Sequence, residues 1–204
     1  MTRMHLFRHG QTIWNQLEIM QGHQDSPLSD TGRRQALVAA RHIGNEDIYA
    51  AYSSSSSRAI ETTRLLLGEK AVAIETLDEL REINLGEWEG KQKAKVMEDY
   101  PDQYRDFWER PNSYRSVGGE TFQPLWDRTV QAIKDILRSN QGKTVLVVSH
   151  AASVKAITSY FSGRSIHQIW DAPFAENLAH SIIESNHSNK YKLVKFCDHN
   201  WSED

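Results

Sequence analysis

Short runs of apolar and β-branched residues alternate along the chain with longer segments in which apolar residues recur at helical spacing. The short runs predict strands at residues 3–8, 47–53, 71–75, 144–149, 181–184 and 191–196. The longer segments predict helices at residues 31–44, 58–68, 92–99, 101–109, 121–140 and 151–161. Because strands and helices alternate, the pattern predicts an α/β domain with a mostly parallel sheet. The last two strands are expected to form a hairpin around residues 188–189.

Three of the predicted strands are followed by side chains that suit an anion. His9 comes directly after the first strand, and Arg58 follows the second strand and a run of serines. His150 follows the almost unbroken apolar strand at residues 144–149. Functional sites in parallel α/β sheets collect at the carboxyl ends of the strands. We therefore expect these three side chains to lie at one rim of the sheet.

Length and charge limit the classes of protein that fit. The chain has 204 residues, enough for one α/β domain with a sizeable core. Its formal net charge is −3, from 24 basic and 27 acidic residues, which does not predict the broad basic face of a nucleic-acid binder. If the substrate is an anion, positive charge must be concentrated in a pocket.

Cysteine content and the N-terminal residues bear on the compartment. A single cysteine, Cys197, excludes an internal disulfide and a CxxC motif. No run of 18 apolar residues occurs, and the first residues contain no signal-peptide core. These features predict a cytoplasmic protein that binds neither a membrane nor nucleic acid. Oligomeric state leaves no signal in the sequence.

Arg8, His9, Arg58 and His150 form the candidate catalytic group. Arginine presents a planar fork of donors to phosphate oxygens, and a neutral histidine can accept a phosphoryl group. Fixed cations and donors contribute most of the catalysis of phosphoryl transfer, so such a site needs no metal. We expect no metal and no cofactor. Metal chemistry remains the alternative, because zinc accepts two imidazoles and a glutamate as ligands.

The five consecutive serines at residues 53–57 have two interpretations. They suit a flexible polar linker, or they cap a helix N-terminus that lies beside an anion. Their place between a predicted strand and a predicted helix favours the second interpretation.

The loop at residues 80–90 supplies three candidate acids, Glu82, Glu87 and Glu89. A phosphomonoesterase needs one carboxylic acid to protonate the departing alkoxide and then to deprotonate the attacking water. Most glutamates are solvated surface charges, so residue type alone does not choose among the three.

Several motifs resemble those of the histidine phosphatase superfamily, the phosphoglycerate-mutase-like proteins. They are Leu-Phe-Arg-His-Gly-Gln-Thr-Ile-Trp-Asn at residues 6–15, the serines with Arg58-Ala59, the Glu82 loop, Gly118-Gly119-Glu120, and Val147-Val148-Ser149-His150. They extend over essentially the whole chain, and the closest resemblance is to the small broad-specificity bacterial phosphatases. It implies a three-layer αβα sandwich formed by one domain, residues 1–204, with a lid around residues 91–118.

The resemblance also implies roles for individual residues. His9 is the expected phosphoryl acceptor, and Glu82 is the expected acid and base, with Glu87 and Glu89 structural. Arg8, Arg58 and His150 are expected to contact the phosphoryl group. The residues expected to support or border the substrate are Asn15, Gln21, Gly22 and, through its backbone amide, Ala151.

Two positions depart from the family pattern. Ala151-Ala152 follows His150 where many members have two glycines, although the amide of Ala151 can still donate. His180 stands where small hydroxyl residues are common, and we expect it to be a surface residue.

The resemblance favours a metal-independent phosphatase that hydrolyses small-molecule phosphate monoesters through a phosphohistidine on His9. A phosphoglycerate mutase of the same family is the alternative. The family's mutases are longer and carry Arg-His-Tyr-Gly after the acid, whereas Ile83-Asn84-Leu85-Gly86 follows Glu82 here. A non-catalytic phospho-ligand sensor is a third hypothesis, and it would require neither His9 nor Glu82. The cellular substrate stays open.

Overall fold

The computed structural model describes residues 1–186, 188 and 190–200. In this part of the chain one sheet of seven strands forms, in the order β3-β2-β4-β1-β5-β6-β7. The strands are β1 (Thr2–Arg8), β2 (Ile48–Ser54), β3 (Ile74–Leu77), β4 (Thr144–Ser149), β5 (His180–Ser185), β6 (Tyr191–Phe196) and β7 (His199–Asn200).

The sheet is mixed. β3, β2, β4 and β1 run parallel to one another, whereas β5 is antiparallel to β1, β6 to β5 and β7 to β6. The predicted α/β class is confirmed, and the predicted rim belongs to the parallel part. The pairing of β5 with β6 confirms the hairpin, although residue 189 of its predicted turn lies outside the described residues.

Helices cover both faces of the sheet. The described residues form α1 (Ile13–Gln16), α2 (Asp30–Ala39), α3 (Ser57–Leu67), α4 (Lys93–Asp99), α5 (Pro101–Glu109), α6 (Phe122–Ser139) and α7 (Ala151–Phe161), and a 3-10 turn at Ala40–His42 continues α2. α2 and α3 pack on one face of the sheet, and α6 and α7 pack on the other. These three layers form the αβα sandwich.

The continuous apolar character of β1 and β4 follows from burial on both faces. Leu6 and Val147 pack with α6 and α7, whereas their neighbours Phe7 and Val148 pack with α2 and α3. The parallel register places Leu6 beside Val147 and Phe7 beside Val148. A strand covered on both faces carries apolar residues at consecutive positions, which explains why the hydrophobic pattern identifies these two strands.

α1 and the start of β3 depart from the predictions. The hydrophobic pattern does not predict α1, because four residues are too few to show a helical period. α1 depends instead on reciprocal hydrogen bonds between Thr12 and Asn15. β3 begins at Ile74 and not at residue 71, because the chain still turns where the Val72 amide donates to the Lys70 carbonyl at 2.9 Å.

Residues 91–118 carry α4 and α5 and pack over the loop at residues 80–90. Trp88 of that loop is fully buried, with its ring centroid 5.6 Å from those of Phe107 and Tyr114. The Trp170 indole donates a hydrogen bond to the Phe107 carbonyl at 2.6 Å. These aromatic contacts hold α5 beside the cavity described below.

The single cysteine, Cys197, is free and buried. Burial raises the pKa of its thiol to about 11, so it is a thiol and not a nucleophilic thiolate at neutral pH. No helix within the described ranges has both the length and the apolar character needed to cross a bilayer.

Candidate active site

A cavity of about 310 Å³ lies at the carboxyl ends of β1, β2 and β4. These strands are neighbours in the sheet, so the side chains that follow them meet at one rim. The predicted site residues that line the cavity are Arg8, His9, Asn15, Gln21, Gly22, Arg58, Glu82 and Ala151. His150 is fully buried beside them, with its ring centroid 5.2 Å from that of His9. The structure therefore brings every predicted site residue together.

His9 has a defined tautomer. Its Nδ1 lies 2.7 Å from the Gly10 carbonyl oxygen. Because a carbonyl oxygen only accepts, Nδ1 carries the proton and Nε2 keeps its lone pair. Gly10 is itself fixed, since its amide donates to the Thr62 hydroxyl at 3.0 Å. This arrangement prepares Nε2 as a nucleophilic atom.

Burial keeps the two site imidazoles neutral. It is the main cause that lowers the pKa of His9 well below 6.5, and the charges of Arg58 and Arg8 lower that pKa further. Burial also lowers the pKa of His150 well below 6.5, again with a contribution from Arg58. At neutral pH both rings are therefore uncharged, and His9 Nε2 carries no proton.

Arg58 fixes the loop below the cavity. The guanidinium is buried, and its Nη1 donates to the Gln24 carbonyl and to Asp25 Oδ1, both at 2.8 Å. Its Nη2 donates to the Gly22 carbonyl at 2.9 Å. Burial alone would raise the pKa of Asp25, but hydrogen bonds from Ser57 and Arg58 outweigh it and lower that pKa. Arg58 thus organises residues 22–25 as well as contributing charge to the cavity.

Several buried polar atoms at this site have no partner among the described residues: Arg8 Nε, Arg58 Nε, Gln21 Oε1 and His150 Nδ1. Other atoms of two of these groups are engaged, since Arg8 Nη1 donates to the Ala175 carbonyl at 2.8 Å and His150 Nε2 lies 2.7 Å from the Ser54 hydroxyl. Buried polar atoms are normally paired. The two guanidinium N–H groups are donors of the kind that phosphoryl oxygens require, and His150 adds an unpartnered ring nitrogen beside them.

The serine run at residues 53–57 does not supply the anion site that its position favours. The amide and the hydroxyl of Ser57 both donate to Asp25 Oδ2. The anion beside the N-terminus of α3 is therefore the protein's own carboxylate. Ser54 is the member of the run that reaches the site, through its contact with His150.

Glu82 lies against the N-terminus of α7. Its Oε1 accepts from its neighbour Ile83's amide at 2.9 Å and from the Ser153 amide at 3.3 Å, and its Oε2 accepts from the Ala152 amide at 3.2 Å. Ala151 and Ala152, which depart from the family's two glycines, thus keep their backbone amides as donors at the N-terminus of α7. The Ala152 amide is the one that binds the Glu82 carboxylate. Glu82 is the glutamate of its loop that lines the cavity, as His9 does.

The other two candidate acids do not line the cavity. Glu87 is exposed. The Glu89 carboxylate accepts from the amides of His23, Gln24 and Leu85, at 2.7, 3.1 and 3.0 Å. It joins the loop at residues 80–90 to the loop at residues 21–25. A Cβ at Gly22, whose φ is +53°, would lie 2.2 Å from Glu89 Oε1, so a side chain there would break this junction.

Sequence reasoning missed Asn177. Its Nδ2 donates to the His9 carbonyl at 3.2 Å and to Asn15 Oδ1 at 3.3 Å, and so connects the loop before β5 to the first motif. Asn15 Oδ1 also accepts from the Thr12 amide at 3.0 Å. Asn177 stands three residues before His180, and the unusual histidine was the only signal in that segment.

The expectation that His180 is a surface residue is wrong. The residue is only 2% exposed, because it begins β5 inside the sheet and its ring stacks on Phe7 at a centroid distance of 4.2 Å. Its Nε2 lies 3.0 Å from His5 Nδ1, and Lys195 Nζ lies 3.2 Å from its Nδ1. Glu46 accepts from His5 Nε2 at 3.0 Å. Two neutral histidines, each donating from one ring nitrogen and accepting at the other, therefore complete the series of hydrogen bonds from Lys195 to Glu46.

This buried series predicts a measurable loss of stability in acid. Burial first, and then the charge of Lys195, lower the pKa of His180 from 6.5 to about 2. Because the folded-state pKa lies below the unfolded one, the stabilisation is present above pH 6.5 and is lost as the pH falls below it. Because the unfolded chain takes up this one proton and the folded chain does not, the free energy of unfolding falls by about 1.4 kcal/mol between pH 7.5 and 5.5.

Urea unfolding of the wild type and of His180→Gln at both pH values measures this loss. We expect the free energy of unfolding of the variant to fall by about 1.4 kcal/mol less than that of the wild type. Equal falls in the two proteins would contradict the protonation state inferred for His180.

The part of the chain that the structure describes does not assemble a set of metal ligands. No group of three or more His, Cys, Asp or Glu side chains there could hold a metal ion. The obvious donors are engaged, since His9 Nδ1 donates to a carbonyl and both Glu82 oxygens accept from amides.

Known proteins resemble this chain over most of its length. A family model for the histidine phosphatase superfamily (branch 1) matches residues 4–199. Phosphoserine phosphatase 1 of Hydrogenobacter thermophilus is 28% identical over 183 residues, which are 90% of this chain and 86% of that protein. The metal-independent phosphoserine phosphatase of Arabidopsis thaliana is 31% identical over 159 residues, which are 76% of this chain and 67% of that protein. Other relatives are named probable phosphoglycerate mutase GpmB, from Yersinia species.

The fold has a close counterpart among solved structures. YhfR of Bacillus stearothermophilus superposes with a TM-score of 0.93 at 32% identity, and the match covers 100% of this chain and 99% of that one.

Proposed function

This chain belongs to the histidine phosphatase superfamily, and we propose that it is a phosphatase that hydrolyses phosphate monoesters of small molecules through a phosphohistidine on His9. The observation that carries the mechanism is the state of the His9 ring. Its Nδ1 proton is held by the Gly10 carbonyl, and its neutral Nε2 belongs to a site with unpartnered N–H donors of Arg8 and Arg58 and the unpartnered Nδ1 of His150. A phosphate monoester supplies acceptor oxygens for those donors and an electrophilic phosphorus for Nε2.

In the first half-reaction, the Nε2 lone pair of His9 attacks phosphorus. The P–O bond to the leaving group breaks, and its electron pair stays on the leaving oxygen. Glu82, protonated at this stage, transfers its proton to that oxygen, so that an alcohol and not an alkoxide departs. The products are the alcohol, the Glu82 carboxylate and phospho-His9.

In the second half-reaction, a water molecule attacks phospho-His9. The Glu82 carboxylate takes the water proton, the N–P bond breaks, and its electron pair returns to Nε2. Inorganic phosphate leaves, and both His9 and Glu82 are restored. Amides of Ile83, Ala152 and Ser153 hold the Glu82 carboxylate in place between the two steps.

The negative charge of the phosphoryl group is matched by fixed groups of the protein. Arg8 and Arg58 contribute donors and positive charge, and His150 a neutral ring beside them, in an arrangement that needs no change when the transition state forms. These groups serve in place of a metal, and the mechanism uses no cofactor. The role of Asn15, Gln21, Gly22 and Ala151 in this proposal is to border the phosphoryl group and the leaving alcohol.

The size of the cavity supports a small leaving group, since about 310 Å³ lies at the lower end of the volumes of ligand pockets. Two relatives are named for phosphoserine, which is a small monoester. We propose that the substrates are small-molecule monoesters as a class. We also propose that the protein acts in the cytoplasm, as its composition predicts.

A phosphoglycerate mutase is the second candidate, because some relatives are named probable mutases. A mutase must protect its phosphohistidine from water while the monophosphoglycerate reorients. The sequence after Glu82 favours hydrolysis, because Ile83-Asn84-Leu85-Gly86 stands where the family's mutases carry Arg-His-Tyr-Gly.

A single assay separates the two candidates. The protein is mixed with 3-phosphoglycerate and a trace of 2,3-bisphosphoglycerate in the presence of EDTA, and 2-phosphoglycerate and free phosphate are followed together. We expect phosphate to be released from 3-phosphoglycerate, or from another small phosphate monoester assayed in the same way, with no faster interconversion and no effect of EDTA. Interconversion that outruns phosphate release by orders of magnitude would establish the mutase, and absence of any turnover would favour the sensor.

A further inference from the structure

The motif at residues 118–120 lies against the loop that carries Glu82, yet none of its residues lines the cavity. The Glu120 amide donates to the Asn84 carbonyl at 2.7 Å. A Cβ on Gly119 would lie 2.3 Å from the same carbonyl oxygen, so only glycine permits the two segments to approach this closely. The motif is therefore a backbone support for the acid loop.

Arg128, from α6, extends this support to the residues next to the acid. Its Nη1 donates to the carbonyls of Glu79 and Arg81, both at 2.7 Å, and its Nη2 donates to the Glu82 carbonyl at 2.9 Å. The remaining donors form a bidentate pair with Glu120, from Nε to Oε1 and from Nη2 to Oε2, both at 2.8 Å. All five guanidinium donors are thus used, and three of them bind the carbonyls of residues 79, 81 and 82.

The Glu120–Arg128 pair is largely shielded from solvent, with side-chain exposures of 15% and 22%. Glu120 Oε2 also accepts from the Asn84 amide at 3.3 Å. Backbone hydrogen bonds therefore orient both members of the pair. The guanidinium donates to the Glu82 carbonyl, and the carboxylate accepts from the Asn84 amide. Arginine is suited to this task, because its planar fork makes several hydrogen bonds in fixed directions whereas lysine provides a point charge.

We propose that Arg128, oriented by Glu120, is a positioning residue for the general acid Glu82, an inference that rests on the function proposed above. Helix α7 holds the Glu82 carboxylate, and Arg128 holds the Glu82 backbone, so the two together set where the carboxyl group meets the leaving oxygen. Displacement of a catalytic group by about 1 Å can cost about 10²-fold in rate. The cost should fall on the step that needs the proton and not on phosphoryl binding.

The test compares leaving groups in Arg128→Met and Arg128→Lys. The rate of phosphoenzyme formation is measured in single turnovers with an alkyl phosphate and with p-nitrophenyl phosphate, whose leaving group needs little protonation. We expect Arg128→Met to slow the alkyl ester by about 10²-fold and the nitrophenyl ester only a few-fold. Arg128→Lys should show an intermediate ratio, and Glu120→Gln should show a ratio of the same sign.

Arg138→Met is the matched control, because Arg138 lies on the same helix and is about half exposed in a pair with Asp135. We expect it to leave both rates unchanged. Equal losses for the two esters in the Arg128 variants would overturn the positioning role. If Arg128→Met fails to fold, the ratio measured for Arg128→Lys decides the question.

Glu82→Gln, measured in the same way, separates failure of this inference from failure of the proposed function. A loss selective for the alkyl ester in Glu82→Gln, without selectivity in the Arg128 and Glu120 variants, would overturn the positioning role alone. Equal losses for both esters in Glu82→Gln would overturn the assignment of the acid, and the positioning role with it.

Discussion

Replacing His9 with alanine is expected to reduce turnover of every phosphate monoester by on the order of 10⁴–10⁶-fold, the usual cost of removing a nucleophile. The reason is that no other group of the site is prepared to form the covalent bond. His150 is fully buried with its Nε2 against the Ser54 hydroxyl and does not line the cavity, and the arginines carry no lone pair. Without Nε2 of His9, water would have to attack the ester directly.

Binding of the phosphoryl group should survive this substitution. Arg8, Arg58 and His150 are held by hydrogen bonds that do not involve the His9 ring. Isothermal titration with vanadate or inorganic phosphate is expected to give an affinity of the same order in the variant and the wild type. His42→Ala is a suitable control, because His42 is an exposed histidine away from the cavity, and it should keep full activity. Substantial turnover by His9→Ala would exclude His9 as the acceptor.

Replacing Glu82 with glutamine is the second large effect that we expect. Glutamine is nearly isosteric with glutamate but has no proton to give, so hydrolysis of alkyl phosphates should fall by roughly 10²–10⁴-fold, the usual contribution of a positioned general acid. The loss should shrink for p-nitrophenyl phosphate when phosphoenzyme formation is measured directly.

Glu87→Gln is the matched control for Glu82→Gln, since Glu87 lies on the same loop but is exposed. It is expected to leave both substrates unaffected. Loss of alkyl phosphate hydrolysis in Glu87→Gln, with normal activity in Glu82→Gln, would transfer the acid's role to Glu87 and require the loop to move in the working enzyme.

β1 and β4 could be predicted because burial on both faces leaves a continuous apolar signal. Phe7 and Val148 face one helical layer and Leu6 and Val147 the other, so β1 and β4 are visible in the sequence. The common location of the site residues could be predicted from topology, because functional residues of parallel α/β sheets collect at the carboxyl ends of the strands. For this reason the sequence alone places His9, Arg58 and His150 in one site.

The residues that sequence reasoning missed are those whose role depends on contacts between distant segments. His180 is buried because β5 adds to the sheet beside β1, and the hydrophobic pattern does not reveal which strand pairs with which. Asn177 and Arg128 act through backbone carbonyls far away in the chain, and any sequence can supply a carbonyl. α1 is set by a reciprocal cap and not by periodicity.

The measurement that tests the central claim most directly is to trap the phosphoenzyme. The protein is mixed rapidly with a phosphate monoester, quenched in alkali, digested and mapped by mass spectrometry at a series of times. The account predicts an alkali-stable, acid-labile phosphoryl group on the peptide that contains His9, formed and lost at rates that match turnover. A phosphoryl group on the serines at residues 53–57, or turnover with no phosphoenzyme on the His9 peptide, would contradict it.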